Sequence, residues 1–564
     1  MANLFADIRT AVLQALAEMQ DAGELPQGLD MSPVSVEPPS AAGHGEMVSN
    51  AAMVLARPAG MDPRAIAQNL VARLGADARV AMASVAGPGF VNLVLHRAVW
   101  QGLIPDILAQ GARYGAGDIG QGARVCVEFV GAYPVAPLQL VHLRGAVTGD
   151  AIACMLERTG HQVTREYYVN DGGAQADVLA RSVYQAYLVA HGRDVPDPLV
   201  AATMQDMGAR LKQQAGDQWL DRPEADWIAP LRDFAVEQMM TRIRDDLAGL
   251  GIEMDVFSDE SALRDAGAVE TALAVLDAKG LIYRGMVDAQ GGKTRVERLL
   301  FRATQHGDEM DRPVAGADGK WTYFAPDIAY HHDKITRGFD ALVDVFSTDH
   351  AGYVKRLGAV VSALSDGRVP LQVKLCQMIR PLRDGAPLRG VRLSLREVVE
   401  EAGAGVTRIH MLSRKNDGPL DFDLTLARAQ RMENPAFAIQ YALTRAQSVI
   451  KRAEAAGLLD ATPDMALLTQ PEDIALMRAL ADWPRQVAVA VQLKEPHRLV
   501  FDMVDLARRF HAIWDGAKAR PELGFVQQGD SAATVAKIAM LRAVCVVILC
   551  GLDMIGVDPV DEMH

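Results

Sequence analysis

Cysteine is scarce in this sequence, and the few that occur form no metal or redox motif. The 564 residues contain five cysteines, and no two of them have the C-x-x-C spacing of zinc sites or redox-active pairs. An odd number of cysteines inside apolar segments is also unlike a disulfide-stapled secreted domain. The sequence therefore predicts no metal site, and reduced, buried thiols at Cys126, Cys154, Cys376, Cys545 and Cys550.

Long apolar runs and an excess of positive charge are missing as well. The longest uninterrupted apolar run, around residues 544–549, is far shorter than the roughly 20 residues that span a bilayer. Asp7 and Arg9 interrupt the segment where a signal peptide would be apolar. The 57 Lys and Arg residues against 71 Asp and Glu residues give a formal charge of −14, which excludes binding to nucleic acid through bulk positive charge. We expect a soluble cytoplasmic protein without a membrane segment.

The chain divides by pattern into three regions. Residues 1–120 predict a small α/β domain, and residues 121–430 predict an α/β domain built on a parallel sheet. Within the second region, residues 176–302 are mostly helical in pattern and suit an inserted module. Strand patterns vanish from residues 431–564, where patterned helices predict an all-α domain.

The second region opens with a recognisable supersecondary unit. A strand at residues 124–130, a helix at about 138–158 and a strand at 163–169 form one right-handed crossover of an open α/β sheet. Residues 341–346 and 373–379 are further apolar strand candidates. Since such sheets bind ligands at the carboxyl ends of their strands, the loop after the first strand is the place to seek a site.

Short motifs of common chemistries are absent, but several longer blocks carry a family resemblance. The sequence has no Walker loop, H-E-x-x-H motif, nucleophile elbow or EF-hand loop. Residues 127–145 read V-E-F-V-G-A-Y-P-V-A-P-L-Q-L-V-H-L-R-G. Further blocks are H-G-E-M-V-S-N-A-A-M-V-L-A from His44, R-E-Y-Y-V-N-D-G-G-A-Q from Arg165, W-T-Y-F-A-P-D-I-A-Y-H-H-D-K from Trp321, M-L-S-R-K-N-D-G-P-L-D-F-D from Met411, N-P-A-F-A-I-Q-Y-A from Asn434 and F-H-A-I-W-D-G from Phe510. Over essentially the whole chain, these blocks resemble the bacterial arginyl-tRNA synthetases, which are class I aminoacyl-tRNA ligases.

The resemblance implies an architecture and a reaction. It implies a class I synthetase Rossmann-type parallel sheet core, a small N-terminal α/β domain that contacts tRNA, and an all-α C-terminal domain that binds the anticodon. It also implies the ATP-dependent attachment of arginine to tRNA, with ATP and Mg²⁺ as cofactors and with arginine and an arginine-specific tRNA as partners. Members of the family are commonly monomers.

The arginine pocket of the family maps onto four residues. Glu128 ends the first strand and matches the carboxylate that faces the substrate, while Tyr323 and Asp327 match the pair that holds the guanidinium. A carboxylate in fork geometry and flat partners are what a guanidinium requires. Tyr133 stands where the family has an asparagine that contacts the substrate. The structural alternatives are an ordinary ion pair for Glu128 and a helix-cap role for Asp327.

The first nucleotide signature of the family, H-x-G-H, is altered. Its glycine lets the adenine lie against bare backbone, and its histidines stabilise the phosphates. Only the last histidine is retained, and a branched side chain replaces the glycine. The four corresponding residues are Gln139, Leu140, Val141 and His142.

The second signature, K-M-S-K-R, is missing after Pro387, and the resemblance leaves about five residues unaccounted for there. Arg389 and Arg392 are the nearby cations that could act on the phosphates, and solvated loop cations are the alternative. Asp349 and His350 fall in the region that contacts the ribose of ATP, although a lone histidine is more often a structural hydrogen-bonding residue.

Four residues match tRNA-contacting positions of the family. Asn50 lies in the N-terminal block, and Gln440, Tyr441 and Trp514 lie in the C-terminal blocks. A polar surface residue is the alternative for Asn50, and a core aromatic is the alternative for Tyr441. Arg414 and Lys415 could serve either tRNA or ATP.

Two hypotheses follow for the activity. The first is a working arginine–tRNA ligase with unusual signatures. The second is a non-catalytic paralogue that binds arginine, tRNA or a protein partner and does not adenylate arginine. The sequence leaves open which tRNA is bound and whether Tyr133 changes the amino acid recognised.

Overall fold

The computed structural model describes residues 3–39, 45–197, 202–288 and 295–560, and it confirms the mixed α/β fold. The N-terminal region has a four-stranded antiparallel sheet, in the order Val36–Glu37, Met47–Ser49, Phe90–Leu95, Val80–Ala86. Its helices are Leu4–Asp21, Ala51–Ala59, Pro63–Leu74 and Arg97–Gln110. His44, the first residue of the N-terminal block, lies outside the described residues.

The central sheet has five parallel strands, and the predicted crossover unit forms its middle. The order across the sheet is Leu371–Cys376, Ala341–Ser347, Arg124–Glu128, Gln162–Val169 and Val256–Asp259. The crossover helix, Leu140–Arg158, joins the third and fourth strands in this order. The third strand is apolar at Val125, Cys126 and Val127 because the sheet is covered on both faces. Its register places Asp344 and Glu166 on either side of Glu128.

The inserted segment differs from the mostly helical expectation for residues 176–302. Helices do fill its first part, at Gly173–Ala190, Gln205–Ala215 and Glu224–Ala248. The next part supplies the edge strand Val256–Asp259 of the central sheet, followed by the helices Glu260–Asp265 and Ala268–Ala278. A second sheet then forms from the antiparallel strands Ile282–Asp288, Arg295–Phe301 and Arg312–Ala315. Alternating half-buried and exposed residues in Ile282–Asp288 are the two-residue period that a helical interpretation overlooks.

The remainder of the second region completes the surroundings of the central sheet. The helices Phe324–Thr336 and Val354–Ser365 flank strand Ala341–Ser347 in sequence. A third small sheet consists of Ile379–Arg383, Ala386–Pro387 and Leu420–Asp423. The helices Leu395–Ala402, Ala404–Met411 and Leu424–Arg428 follow or adjoin it. The strand predicted at 373–379 is therefore divided between two sheets.

The C-terminal region is helical, as predicted. Its long helices are Pro435–Ala455, Pro471–Leu493, His497–Gly516 and Ser531–Met554. The last is long and apolar enough to cross a membrane by length and composition alone, with a mean hydropathy of 2.3, which corrects the expectation that every apolar segment is too short. Because 83% of its apolar window is buried, it is a core helix of this region.

Candidate functional site

A buried cluster of charged side chains lies at the carboxyl end of the first central strand. Lys334 is fully buried, and its ammonium donates to the Glu128 carboxylate and to Asp344 Oδ1, the latter at 3.2 Å. His331 Nε2 lies 3.0 Å from Asp344 Oδ2. Both His331 and Lys334 come from helix Phe324–Thr336, which therefore positions its side chains against two neighbouring strands. Glu128 therefore forms an ion pair inside the protein, which is the structural alternative to a contact with substrate.

This cluster resembles a metal site in geometry but not in charge. Ligand atoms of Glu128, His331 and Asp344 lie within 4.8 Å of one another. Lys334 already compensates both carboxylates, so the donor set does not fit a divalent cation. Burial raises the pKa of Glu128 to about 7 despite the charge of Lys334. Although burial opposes ionisation of Asp344, Lys334 and His331 hold the pKa of Asp344 well below its usual range.

Asp327 differs from these carboxylates because no described residue forms an ion pair with it, although the positive charges of His331 and Arg356 act to lower its pKa. It lies in the first turn of helix Phe324–Thr336, and its backbone carbonyl accepts a hydrogen bond from His331 Nδ1 at 2.8 Å. Among the described residues, its carboxylate has no ion pair or hydrogen bond. Burial is the main reason why the pKa of Asp327 is raised to about 7, and the negative charges of Glu128 and Glu260 add to the effect. An unpaired carboxylate in acidic surroundings is suited to a cationic ligand.

Aromatic rings lie beside this carboxylate. Tyr323, one turn before Asp327, is 66% exposed, and its hydroxyl accepts a hydrogen bond from Arg356 Nη1 at 3.0 Å. The Tyr323 and Tyr353 ring centroids are 5.8 Å apart. These rings provide the flat surface that a planar guanidinium packs against. The structure therefore brings Glu128, Tyr323 and Asp327 to one end of the sheet.

The loop after Glu128 carries the substituted position Tyr133. Val130 has a φ of 71° and Gly131 a φ of 51°, so the chain makes a left-handed turn directly after the strand. This conformation is costly for a β-branched residue such as Val130, and strain of this kind is concentrated at ligand-binding loops. Tyr133 projects from this loop with 48% of its surface exposed. The loop thus presents a phenol to solvent five residues after Glu128.

The segment that resembles the first family signature, Gln139 to His142, lies at the start of helix Leu140–Arg158. The Gln139 backbone N–H donates to His142 Nδ1 at 3.1 Å, and burial lowers the pKa of His142. His142 is therefore neutral at pH 7, with Nδ1 as acceptor and its proton on Nε2. Val141 is 49% exposed, so its branched side chain stands out from the first turn.

The segment that replaces the second signature is hydrogen-bonded to the same helix start. The Leu140 N–H donates to the Leu393 carbonyl at 3.0 Å, and the Leu395 N–H donates to the Leu138 carbonyl at 2.8 Å. One of the free N–H groups with which a helix start binds phosphate is therefore already satisfied by protein. Arg389 and Arg392 are exposed and form no ion pair with any described residue.

Asp349 and His350 follow strand Ala341–Ser347 and are exposed. The Asp349 N–H donates to Ser347 Oγ at 3.3 Å, and the His350 ring lies 6.1 Å from the ring of Tyr353. Their position at a strand end is compatible with a ribose contact, and that role stays a prediction.

Two of the predicted tRNA contacts have structural partners. Asn50 Oδ1 accepts from the Ser35 N–H at 2.7 Å, and Asn50 Nδ2 donates to the Pro33 carbonyl at 3.1 Å. Gln440 is buried, donates to the Asp558 carbonyl at 3.3 Å and accepts from the Val560 N–H at 3.1 Å. Both amides therefore hold their own chain in place, and a tRNA contact through either stays a prediction.

Tyr441 and Trp514 are half-buried aromatic side chains on either side of Arg445. The sequence analysis does not identify Arg445. The guanidinium carbon of Arg445 lies 4.1 Å from the Tyr441 ring centroid and 4.8 Å from that of Trp514. Arg445 follows Tyr441 by one helical turn, and this spacing could have predicted their contact from the sequence. Lys334 follows Asp327 by two turns on one helix, and the sequence analysis does not identify it either.

Comparisons with known proteins identify the family of the chain. Sequence models of the arginyl tRNA synthetase N terminal domain, of the class I (R) tRNA synthetase catalytic domain and of the DALR anticodon binding domain match residues 6–95, 103–196 and 439–563. Arginine–tRNA ligases of Ruegeria pomeroyi and Paracoccus denitrificans are 52% and 51% identical over 100% of both chains. Thermus thermophilus arginyl-tRNA synthetase shares the fold, with a TM-score of 0.75 and 20% identity over 99% of this chain and 100% of that chain. The chain therefore belongs to the arginine–tRNA ligase family of class I aminoacyl-tRNA synthetases.

Proposed function

We propose that this chain retains the arginine and tRNA recognition of its family but transfers the adenylyl group slowly or not at all. One observation carries the first half of the proposal: Asp327 is a carboxylate without a cationic partner among the described residues, beside Tyr323 and Glu128. A guanidinium would supply the missing positive charge.

Arginine recognition divides between two carboxylates with different roles. Asp327 accepts hydrogen bonds from the guanidinium, and Tyr323 offers its flat face. Glu128 keeps its ion pair with Lys334 and adds negative potential to the pocket. Tyr133, on the adjoining loop, limits the space around the backbone groups of the substrate.

The residues around the first signature do not fit ATP and Mg²⁺ in the way that the family signatures would bind them. Val141 puts a side chain where the glycine leaves room for the base, and the Leu140 N–H is bonded to Leu393. Arg389 and Arg392 are the remaining cations, and neither is held in place by an ion pair. Loss of one preorganised donor to a developing charge typically costs about 10²- to 10³-fold in rate.

The second candidate function is a working ligase with unusual signatures. Its support is the retained His142 together with about half identity to arginine–tRNA ligases over the full chain. The first proposal and this one differ only in adenylation, which makes them separable by one assay.

The test is the exchange of pyrophosphate into ATP in the presence of arginine and an arginine tRNA. The Ruegeria pomeroyi relative, 52% identical, is the control run in parallel. We expect no exchange above background for this chain, whereas exchange at the rate of the control would establish the working ligase. A gel-shift titration with the same tRNA then reports binding independently of catalysis.

From the family we also infer a cytoplasmic monomer. Size-exclusion chromatography with light scattering should give a mass of about 60.8 kDa. A mass twice as large would contradict the monomer.

A further inference from the structure

We propose that a cavity between the N-terminal region and the C-terminal helices binds a small primary amine in its protonated form, with Asp502 as the counter-ion. The cavity has a volume of about 510 Å³. Glu46 and Trp100 line it from the N-terminal region, and Asp482, Trp483 and Asp502 line it from the C-terminal helices. We call it the Asp502 cavity. Because none of these residues belongs to the candidate site, the inference goes beyond the proposed function.

The charged side chains that line the Asp502 cavity are all paired within the protein, with one exception. Three ion pairs account for them: Glu46 with Arg478, Asp482 with Arg485, and Asp505 with Arg509. The exception is Asp502, whose carboxylate has no hydrogen bond or ion pair with any described residue. The uncompensated charge of the cavity is therefore negative and lies on Asp502.

The Asp502 carboxylate is placed where a missing partner is costly. Asp502 is half-buried on helix His497–Gly516, and its Oδ2 atom is buried without a donor. Burial raises the pKa of Asp502 to about 8, and the negative charges of Asp482 and Asp505 add to the effect, whereas Arg485 and Arg498 act to lower the pKa. A bound cation would supply the missing donor and would stabilise the ionised carboxylate.

A second acceptor lines the same cavity. Gln486 Nε2 donates to Asp482 Oδ2 at 3.0 Å, and the Gln486 Oε1 atom accepts no hydrogen bond from any described residue. A protonated primary amine has three N–H donors and no acceptor, so a carboxylate and an amide oxygen match its requirements. A divalent metal ion needs more oxygen ligands than these two side chains supply.

The remaining wall of the Asp502 cavity is apolar. Trp100 Nε1 donates to Glu46 Oε2 at 2.9 Å, and Trp483 Nε1 donates to the Tyr114 carbonyl at 3.3 Å. Since both indole N–H groups are bonded within the protein, the two tryptophans offer the cavity only apolar ring surface. Leu506 adds an aliphatic side chain to the same wall. The ligand that fits is therefore an ammonium group on a short hydrocarbon body.

The test measures binding of n-butylammonium to the full chain by saturation-transfer NMR at about pH 8.5, above the pKa of Asp502. We expect saturable binding at millimolar concentration, and binding of the neutral control 1-butanol that is weaker by about tenfold. Asp502→Asn, which removes the charge, and Ala479→Leu, which fills the cavity, should each weaken butylammonium binding by about tenfold. Asp277→Asn and Ala455→Leu make the same changes at exposed positions and should bind like the unaltered chain. A thermal melt of each variant verifies folding.

Three outcomes would overturn the assignment. The first is no binding of butylammonium to the unaltered chain at about 100 mM. The second is equal binding of butylammonium and 1-butanol, which would show that the cavity takes apolar ligands without regard to charge. This comparison needs no variant and holds even if Asp502→Asn fails to fold. The third is binding that Asp327→Asn weakens and Asp502→Asn does not, which would place the amine in the proposed arginine pocket.

Discussion

In the proposed arginine pocket, Asp327 pairs with the guanidinium, and replacing it separates binding from folding. Asp327→Asn should weaken arginine binding by about 2–3 kcal/mol, since it removes a charge-assisted acceptor. Calorimetric titration of arginine measures this change. Asp277→Asn, an exposed aspartate without an ion pair among the described residues, is the matched control. Equal affinities for the two variants would contradict the role given to Asp327.

The same carboxylate predicts how stability depends on pH. Burial raises the pKa of Asp327 to about 7, above the 3.8 of an unperturbed aspartate, so ionisation disfavours the folded state. This penalty is absent below the unfolded pKa and complete above about pH 7. Asp327→Asn should therefore raise the free energy of unfolding by about 4 kcal/mol at pH 8 and leave it nearly unchanged at pH 4. Urea denaturation at both pH values measures the difference, and a loss of stability at pH 8 would contradict it.

Arginine affinity should follow the ionisation of this group. Below about pH 7, the Asp327 carboxyl group is mostly protonated. It must lose this proton before it can pair with a guanidinium. We expect the affinity for arginine to fall by about tenfold between pH 8 and pH 6. Titrations across this range provide the measurement, and a dissociation constant that does not change with pH would show that another group binds the guanidinium.

Lys334 compensates the negative charge of two buried carboxylates. Lys334→Met leaves Glu128 and Asp344 without their shared cation and should destabilise the fold by about 3–5 kcal/mol. Lys355→Met is the control, because Lys355 pairs with Glu309 at the surface with 61% of its side chain exposed. Its cost should be about 0–1 kcal/mol. Similar denaturation midpoints for the two variants would contradict the structural role of the cluster.

At the scale of elements, the altered signatures form one unit at the start of helix Leu140–Arg158. Replacing Gln139 and Val141 by His and Gly, together with insertion of K-M-S-K-R after Pro387, should restore pyrophosphate exchange. Each part alone should not, because the first pair opens the base site and the insertion supplies phosphate cations and releases Leu393 from Leu140. If the combined variant folds, binds arginine and still shows no exchange, the deficit lies elsewhere in the pocket, with Tyr133 as the next substitution to reverse.

Elements with strong local signals could be predicted from the sequence. Asn434 followed by Pro435 predicts a helix start, and the structure has Asn434 capping the Ala436 N–H at 3.0 Å. The edge strand Val256–Asp259 has only four residues and depends on pairing with Gln162–Val169, which no local pattern encodes. Helix Ser531–Met554 shows the converse, since its composition fits a membrane span and only its packing identifies it as core.

The candidate site could likewise be predicted only in part from the sequence. Glu128, Tyr323 and Asp327 could be named from the sequence because the blocks that contain them resemble the arginine pocket of the arginyl-tRNA synthetases. The sequence could not decide that Glu128 pairs with Lys334 while Asp327 has no ion pair with any described residue, because this depends on which side chains of helix Phe324–Thr336 reach the sheet. The hydrogen bonds that occupy Asn50 and Gln440 depend likewise on distant segments.

On the scale of the whole molecule, Arg408 joins the second region to the C-terminal region by contacts with three separate segments. It is 1% exposed and donates to Asp150 at 2.5 Å, to the Ile555 carbonyl at 2.8 Å and to the Leu250 carbonyl at 3.2 Å. The crossover helix, the inserted segment and the C-terminal helix thus meet at one guanidinium.

Removal of this contact should loosen the C-terminal region from the sheet. Arg408→Met is expected to destabilise the protein by about 2–3 kcal/mol, because two carbonyls and Asp150 lose a buried donor, although Asp150 keeps its ion pair with Arg165. Limited proteolysis should release a C-terminal fragment from this variant earlier than from the exposed control Arg452→Met. Identical digestion of the two variants would contradict the linkage.

Equilibrium titration of one preparation with arginine and then with ATP and Mg²⁺ tests the central claim most directly. We predict a binding isotherm for arginine that Asp327→Asn abolishes or weakens, and no heat of binding for the nucleotide at concentrations that saturate the Ruegeria pomeroyi relative. Saturable nucleotide binding equal to that of the relative, or no arginine binding at all, would contradict the account.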